Sequence, residues 1–264
     1  MFRRWKWLGG AVVLLATHAP SLTSAFIGPD QPANAPDLKF MLANVFTTNA
    51  QHHLVISEVL REDPDIIAIL ELSSAMKQRW DAEDMIQAYP YRITAPQDDG
   101  NFGIGLYSRL PFLEEQIVPF NVLDIKTISA TVDCSGTEYR VIATHPLPPM
   151  GARGFSLRNE HLRQLADHIS EIRKSGVPLI LLGDLNLTPW SPLFHDLESQ
   201  TNLRRAGRGY GLAPTWYIRP VLPLGLKLDH ALISDNLVCT NHKVGNDIGS
   251  DHRPVFVEVG MKSQ

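Results

Sequence analysis

The sequence predicts an α/β fold in which helices lie outside mixed β-sheets. Two short aliphatic runs, residues 66–70 and 179–182, are bounded by polar and turn residues, as are strands buried on both faces. Predicted strands and helices alternate early in the chain, and strands joined by tight turns fill the middle. We see no internal repeat and no second shift of composition, so we expect one folded domain over residues 38–260.

The elements of the first hundred residues follow from apolar runs and their boundaries. Residues 38–46 read as a strand, and Thr48 or Asn49 is a suitable cap for a helix over residues 50–61. Ser73 or Ser74 is suited to cap one further helix that stops before Tyr89. Further strands are expected at residues 66–70, 91–95 and 103–108.

The rest of the chain continues with hairpins and two more helices. A Pro/Gly-rich loop is expected over residues 146–154, followed by a helix over residues 156–174 that Gly176 ends. A second helix is expected over residues 191–198, and residues 207–223 read as a long surface loop. Strands are expected at residues 116–120, 127–132, 138–144, 179–182, 228–234, 237–242 and 254–259.

The N-terminus has the pattern of an export signal. A basic start, an apolar run over residues 7–16 and small residues before Ala25 predict a signal peptide or an uncleaved anchor over residues 1–25. Residues 26–37 are rich in Pro, Ala and Asp and read as a linker. We therefore expect an exported protein that is periplasmic or extracellular. If the N-terminal segment is not cleaved, it would anchor the protein to the inner membrane. The two cysteines, Cys134 and Cys239, leave a disulfide undecided.

Composition excludes few functions. The chain of 264 residues carries a net charge of −4, so no global charge steers it toward nucleic acid or an anionic membrane. No cysteine-rich zinc pattern, P-loop, Gly-x-Gly-x-x-Gly motif or serine nucleophile elbow is present.

Polar residues recur where predicted apolar strands end. They are of the types that bind a hard divalent cation or move protons, and ligands in α/β sheets collect at strand ends. These residues are Asn44, Glu71, His145, Asp184, Asn186, Asp229, Asp251 and His252.

Together, these residues resemble a known family. Gly183-Asp184-Leu185-Asn186 and Ser250-Asp251-His252-Arg253-Pro254-Val255 resemble motifs of the endonuclease/exonuclease/phosphatase superfamily, and the other strand-end residues follow its order over roughly residues 38–260. The resemblance is greatest to an exported or membrane-associated bacterial branch. It implies a four-layer α/β sandwich, with two packed mixed β-sheets flanked by helices. It also implies hydrolysis of a phosphate ester by water with Mg²⁺ or Mn²⁺.

The resemblance also implies roles for the strand-end residues. Glu71 is the expected metal ligand, Asn44 either supports Glu71 or binds the metal through its carbonyl oxygen, and Asp251 either reaches the metal or braces its loop. His252 is expected to deprotonate the attacking water, with Asp229 holding its ring.

Asp184 is expected to orient that water, and Asn186 and His145 to donate to phosphate oxygens. His230 follows Asp229 and is expected to point away from the site.

The substrate stays open at the level of sequence. A nuclease needs a basic groove, whereas a lipid phosphodiesterase needs an apolar rim. Nucleic acid, phospholipid and small phosphate esters are all candidate substrates. Any membrane association would run through the N-terminus. A monomer is expected. The alternative is a non-catalytic binding module that retains the fold. Five arginines are candidates to clasp phosphates: Arg153, Arg158, Arg204, Arg205 and Arg208.

Overall fold

The computed structural model describes residue 26 and residues 37–218 and 224–262. The predicted signal peptide or anchor, and the predicted linker apart from its two end residues, lie outside the described residues. Within the described part of the chain, no helix combines the length and the hydrophobicity that a membrane crossing needs. Cys134 and Cys239 are free thiols.

Fourteen strands and five helices are described. The strands are β1 (Leu38–Asn44), β2 (Ile66–Leu70), β3 (Tyr91–Ala95), β4 (Ile104–Ser108), β5 (Phe112–Phe120), β6 (Ile125–Cys134), β7 (Thr137–Thr144), β8 (Leu179–Asp184), β9 (Leu203–Arg205), β10 (Trp216–Tyr217), β11 (Gly225–Leu226), β12 (Asp229–Ser234), β13 (Leu237–Val244) and β14 (Val255–Met261). The helices are α1 (His52–Glu62), α2 (Ser74–Trp80), α3 (Glu83–Ala88), α4 (Gly151–Arg173) and α5 (Pro192–Thr201).

Twelve of these strands form two six-stranded sheets. The order is β13-β14-β1-β2-β4-β3 in the first sheet and β5-β6-β7-β8-β12-β9 in the second, while β10 and β11 form a separate hairpin. In each sheet one central pair is parallel, β1 with β2 and β7 with β8, and the other pairs are antiparallel. The expectation of mixed sheets is confirmed.

The core is arranged in four layers. The largest apolar cluster joins the facing sides of both sheets, with Phe40 and Leu106 from the first sheet and Val141 and Leu182 from the second. A second cluster packs α1, α2 and α3 against the outside of the first sheet, and a third packs α4 and α5 against the outside of the second. The four-layer sandwich that the family resemblance implies is therefore the observed fold.

Several element boundaries differ from the sequence prediction. Asn49 does not cap α1, because its Oδ1 accepts a hydrogen bond from the Gln51 N–H (2.8 Å) and its Nδ2 donates to the Ile248 carbonyl (3.0 Å). Ser73 does cap α2, and its Oγ accepts from the Met76 N–H. The predicted single helix after Ser73 is two helices that break at residues 81–82.

Other differences concern loops and a short strand. The predicted loop over residues 146–154 is shorter, because α4 already begins at Gly151. β10 interrupts the predicted loop over residues 207–223, part of which lies outside the described residues. β9 was not predicted, because its sequence Leu-Arg-Arg carries no apolar run, and pairing with β12 is what holds it extended.

Candidate active site

Strand register brings the predicted site residues to one edge of the sandwich. Asn44 pairs with Leu70, so Glu71 follows directly beside it on the neighbouring parallel strand. In the second sheet Asp184 pairs with Asp229 across an antiparallel pair. The strand ends of both sheets thus open on the same cleft, whose volume is about 550 Å³.

Asn44 connects the carboxylates of the two sheets. Its Nδ2 donates to Glu71 Oε1 at 2.9 Å and to Asp184 Oδ2 at 3.3 Å. Its Oδ1 accepts from the Phe46 backbone N–H at 3.1 Å. Because that backbone group is a donor, the atom facing it must be the amide oxygen. The amide nitrogen therefore points at the carboxylates, an arrangement that favours the supporting role of Asn44 over ligation through its oxygen.

Three residues at the cleft adopt left-handed backbone conformations. Phe46, Glu71 and Asn186 have φ values of 61°, 58° and 50°. Such conformations are unfavourable for non-glycine residues, least so for asparagine, and strained residues cluster at functional sites. At Glu71 this conformation ends β2 and lets the Thr47 N–H donate to Oε2 at 3.2 Å.

His252 and Asp229 form a buried pair. His252 Nδ1 lies 2.8 Å from Asp229 Oδ2, and the other ring nitrogen, Nε2, lies 3.6 Å from Asp184 Oδ2. The backbone around the pair is also fixed, since Thr215 Oγ1 accepts from the Asp229 N–H and Ser250 Oγ accepts from the His252 N–H, both at 3.0 Å. The imidazole is thus oriented by a carboxylate on one side and presents its second nitrogen to the cleft.

The two histidines of the cleft have raised pKa values. Burial lowers the pKa of His252, but the charges of Asp229 and Asp184 and the Asp229 hydrogen bond outweigh it and raise the value to about 10. For His145, burial is likewise outweighed by the hydrogen bond and charge of Asp184 and by the charge of Glu71, so its pKa is raised. Both shifts favour the protonated ring, and the value of about 10 keeps His252 protonated at neutral pH in the metal-free protein.

The carboxyl groups of Asp184 and Glu71 have pKa values that are shifted in opposite directions. Burial raises the pKa of Asp184, but the charge of His252 and the hydrogen bond from His145 bring it down to about 2. At Glu71 burial dominates, and the pKa of its carboxyl group is raised although His145 and Asn44 oppose the shift. Glu71 is therefore a buried carboxylate whose negative charge the neighbouring groups do not fully compensate.

The donor set fits a hard divalent cation. Among the described residues, neither Glu71 nor Asp251 has an ion pair with a lysine or arginine. Ligand atoms of Asp184, Asp229 and His252 also lie within 4.8 Å of one another. Asp229 and His252 bond to each other, so Glu71 and Asp184 are the carboxylates that could hold a cation. Carboxylate oxygens suit Mg²⁺ and Mn²⁺, which need few protein ligands.

Asp251 is held by a residue that sequence reasoning did not connect to it. Trp216 Nε1 donates to Asp251 Oδ2 at 2.9 Å, and the Tyr217 N–H donates to the Asp251 carbonyl at 3.0 Å. Both Trp216 and Asp251 line the cleft. One oxygen of the Asp251 carboxylate is therefore engaged with the indole, and the loop that carries His252 is fastened to β10.

Asn186 lies beside Asp184 at the same lip. Its backbone N–H donates to Asp184 Oδ1 and its Nδ2 donates to the Pro146 carbonyl, both at 3.0 Å. The second hydrogen of the amide nitrogen stays available for a ligand in the cleft. His230, by contrast, turns away, and its Nε2 bonds to the Leu187 carbonyl at 2.8 Å.

The wall of the cleft is largely apolar. Six of its residues, which we call the apolar wall, are Phe46, Phe102, Met150, Trp216, Leu226 and Leu228. Several are well exposed, Met150 at 78% and Leu226 at 42%. No lysine, and no arginine other than Arg158, lines the cleft among the described residues.

The five candidate arginines are dispersed. Arg204 bonds to the Leu237 carbonyl, Arg205 pairs with Glu198, and Arg153 and Arg208 are exposed outside the cleft. A continuous basic groove is therefore not formed by them.

All eight predicted site residues meet at this cleft. Asn44 and Asp229 lie just behind its surface, and the other six line it. Sequence reasoning missed Thr47, Thr215 and the bond from Trp216, because each acts through a loop contact that leaves no pattern in the sequence.

The sequence also matches a family model. The model described as Endonuclease/Exonuclease/phosphatase family covers residues 41–252, which is most of the chain. The chain belongs to this family. Among curated proteins, Nocturnin of Drosophila melanogaster is 23% identical over 180 residues, which are 62% of this chain and 28% of that protein. The chain thus spans well under half the length of this curated relative.

Solved structures share the fold. The human Nocturnin catalytic domain with bound sulfate has a TM-score of 0.69 and 18% identity, covering 89% of this chain and 96% of that one. The Neisseria 3′ phosphatase NExo, bound to a product DNA hairpin, has a TM-score of 0.70 and 20% identity, covering 84% and 98%. A mannosyl-6-phosphatase of Bacteroides thetaiotaomicron has a TM-score of 0.64 and 18% identity, covering 85% and 100%.

Proposed function

We propose that the protein hydrolyses phosphate esters with water and a divalent cation, Mg²⁺ or Mn²⁺. The observation that carries this proposal is the convergence of an oriented His252–Asp229 pair and the buried Glu71 carboxylate on one cleft, with Asp184 between them. Membership of a family of phosphoesterases and nucleases supports it. A binding module would have no need of an oriented imidazole near the Glu71 carboxylate, whose charge is not fully compensated.

His252 is the group that moves the proton. Its Nε2 faces the cleft, so it is placed to accept a proton from an attacking water, while Asp229 at Nδ1 stabilises the resulting imidazolium. Asp184 lies 3.6 Å from Nε2 and orients the water against the phosphorus. A positioned general base contributes roughly 10²–10⁴ to the rate.

Two donors are available for the phosphate oxygens. The raised pKa of His145 favours its protonated, donating form, and its Nε2 lies 3.5 Å from Asp184 Oδ2 at the lip. Asn186 contributes one amide hydrogen. Donors of this kind stabilise negative charge as it develops in the transition state.

Glu71 and Asp184 are the residues that would hold the cation. Asn44 and the Thr47 N–H fix the Glu71 carboxylate, and Trp216 fixes that of Asp251 at the edge of the site. A bound divalent cation would neutralise charge at the phosphate oxygens, lower the pKa of the nearby His252 and compensate the buried charge of Glu71.

The apolar wall supports a substrate whose organic part is apolar, and we propose a phospholipid as the first candidate. The N-terminal residues 1–25 and 26–37 fit this proposal as an export signal or anchor followed by a linker, with the enzymatic domain over residues 38–260 outside the cytoplasm, as a monomer. Nucleic acid is the second candidate, because the structural neighbour NExo is bound to a product DNA hairpin.

A substrate panel tests the proposal. The full-length protein is assayed with Mg²⁺, with Mn²⁺ and with excess chelator against phospholipid vesicles, single- and double-stranded DNA, RNA, and the soluble esters p-nitrophenyl phosphate and bis(p-nitrophenyl) phosphate. We expect metal-dependent turnover of at least one soluble ester, and faster turnover of phospholipid than of nucleic acid. Absence of turnover of every ester with either metal contradicts the proposed activity.

The contribution of the apolar wall to phospholipid binding is tested with one substitution in the wall and one outside it. Phe46→Asn keeps a residue that tolerates the left-handed backbone but removes the ring. We expect it to raise KM for phospholipid several-fold. The matched control is Leu60→Asn, because Leu60 is 63% exposed on α1 and lies outside the cleft. We expect this variant to leave KM unchanged. Equal KM values for Phe46→Asn and Leu60→Asn contradict the role of the wall.

A further inference from the structure

We infer that Arg158 binds an oxygen of the substrate's phosphate and gives the site a preference for a terminal phosphate, that is, for phosphate monoesters. The inference rests on the proposed function and narrows its substrates to phosphate monoesters, which among phospholipids are those that carry a terminal phosphate. It starts from the position of Arg158 on α4, where its side chain lines the cleft beside Asn186.

Arg158 is a buried cation without an acidic partner. The residue is 5% exposed, and no ion pair joins it to a carboxylate in the part of the chain that the structure describes. Burial lowers the pKa of its guanidinium, and no nearby carboxylate opposes that shift. Its hydrogen bonds go to neutral oxygens only, which leaves its positive charge without a counter-charge, and a guanidinium of this kind lining a cleft is suited to an anionic ligand.

The guanidinium is rigidly oriented. Its Nε and Nη2 donate to Asn159 Oδ1 at 3.2 and 3.1 Å, and its Nη1 donates to the Asn186 carbonyl at 3.0 Å. The Phe155 ring lies 5.0 Å from the guanidinium carbon. These contacts fix the plane of the group before any ligand arrives.

Two N–H groups of the guanidinium are not used in these three hydrogen bonds. Arginine has five donors, and the three bonds to Asn159 and Asn186 use one each on Nε, Nη1 and Nη2. The remaining hydrogens, one on Nη1 and one on Nη2, are the donors that Arg158 can offer to an oxyanion in the cleft.

The charge of the substrate favours a terminal phosphate at Arg158. A diester has two non-bridging oxygens that share one negative charge, and His145 and Asn186 are placed to donate to them. A monoester has a third oxygen and a second negative charge, which a further fixed cation stabilises. In the reaction, the oxygen of water bonds to phosphorus, the bond from phosphorus to the ester oxygen breaks, and the alcohol leaves with a proton, giving inorganic phosphate.

Kinetics with two soluble esters test the inference. The kcat/KM ratio of p-nitrophenyl phosphate to bis(p-nitrophenyl) phosphate is measured for wild type, Arg158→Gln and Arg158→Lys, all with Mg²⁺. We expect Arg158→Gln to lower this ratio at least tenfold, and Arg158→Lys to fall between it and wild type. Arg163→Gln, on the same helix but exposed and paired with Asp167, is the matched control and keeps the wild-type ratio.

Phosphate binding separates this inference from the proposed activity. Calorimetry with inorganic phosphate and Mg²⁺ needs no turnover, and we expect Arg158→Gln to raise the Kd for phosphate at least tenfold. If wild type turns over neither ester but Arg158→Gln still weakens phosphate binding, the proposed activity fails while the assignment of Arg158 as a phosphate-binding residue holds. An unchanged ester ratio in an active enzyme, or an unchanged Kd for phosphate in folded Arg158→Gln or Arg158→Lys, overturns the inference.

Discussion

His252 Nδ1 donates to Asp229 Oδ2 over 2.8 Å, and both side chains are buried at the cleft between the two sheets. Asp229 opens β12, and His252 lies in the loop before β14, so each sheet supplies one partner. The pair is therefore a contact between the sheets as well as a proton-transfer unit, and its geometry depends on how the sandwich packs.

Replacement of Asp229 by Asn is expected to lower the pKa of His252, because the carboxylate charge holds that value at about 10 in the metal-free protein. NMR titration of the His252 ring in chelator measures the change. Turnover with Mg²⁺ is expected to fall about a hundredfold or more, since the ring loses the charge that stabilises its imidazolium. Asp124→Asn, at an exposed turn, is the control. A His252 pKa that stays near 10 in Asp229→Asn contradicts the assigned coupling.

Glu71→Gln is expected to abolish the stabilisation of the protein by Mg²⁺. A ligand that binds only the folded state at ten times its Kd contributes about 1.4 kcal/mol to the free energy of unfolding. Thermal unfolding with Mg²⁺ and with chelator measures this contribution. Wild type and Glu115→Gln, a change at an exposed acid, should both gain stability from Mg²⁺. An equal gain in Glu71→Gln shows that the cation binds elsewhere.

Trp216→Phe tests the contact that holds Asp251. The change keeps an aromatic ring in the apolar wall but removes the N–H that donates to Asp251 Oδ2. Hydrogen bonds to charged groups contribute about 1.5–3 kcal/mol, so we expect kcat to fall roughly tenfold or more. Kinetics with a soluble ester give kcat and KM separately. If Trp216→Phe raises KM alone, Trp216 contributes through its ring and not through Asp251.

Lys227 provides a pH prediction away from the proposed metal ligands. The residue is 7% exposed, and burial, with the charge of Arg205 adding to it, lowers the pKa of its amine from 10.5 to about 8. Because the folded pKa is the lower one, the charged amine destabilises the fold below about pH 8, and this cost disappears as the pH rises from about 8 to 10.5.

Lys227→Met removes that cost. We expect it to raise the free energy of unfolding at pH 7 by on the order of 1–3 kcal/mol, with a gain that shrinks as the pH approaches 10. Denaturant unfolding at several pH values measures the difference between the two proteins. Lys243→Met, a change at a partly exposed lysine that pairs with Glu62, is the comparison and should not stabilise. A gain that is constant with pH would trace to packing and not to charge.

Much of the site was predictable because strand ends are readable in sequence. Apolar runs located the last residues of β2 and β8, and parallel neighbours necessarily end at the same edge. The paired motifs around Asp184 and His252 then identified the family. What this reasoning could not supply was the direction of each side chain, such as the Asn44 amide, which the Phe46 N–H decides.

Contacts made by loops could not be predicted from the sequence for a different reason. Trp216 and Asp251 lie 35 residues apart, and neither stands in a periodic pattern, so nothing in the sequence joins them. The break between α2 and α3 was missed because the apolar spacing of Met76, Trp80 and Ile86 fits one continuous helix. Likewise, Arg158 could be separated from the other arginines only once its place in the cleft was known.

The most direct test of the account is the turnover number of His252→Ala, with Mg²⁺, on the soluble ester that wild type hydrolyses fastest. We expect kcat to fall at least about a hundredfold while the far-UV spectrum and the melting temperature show an intact fold. The exposed His53→Ala should retain the wild-type rate. Full activity in folded His252→Ala would contradict the proposal that this ring moves the proton.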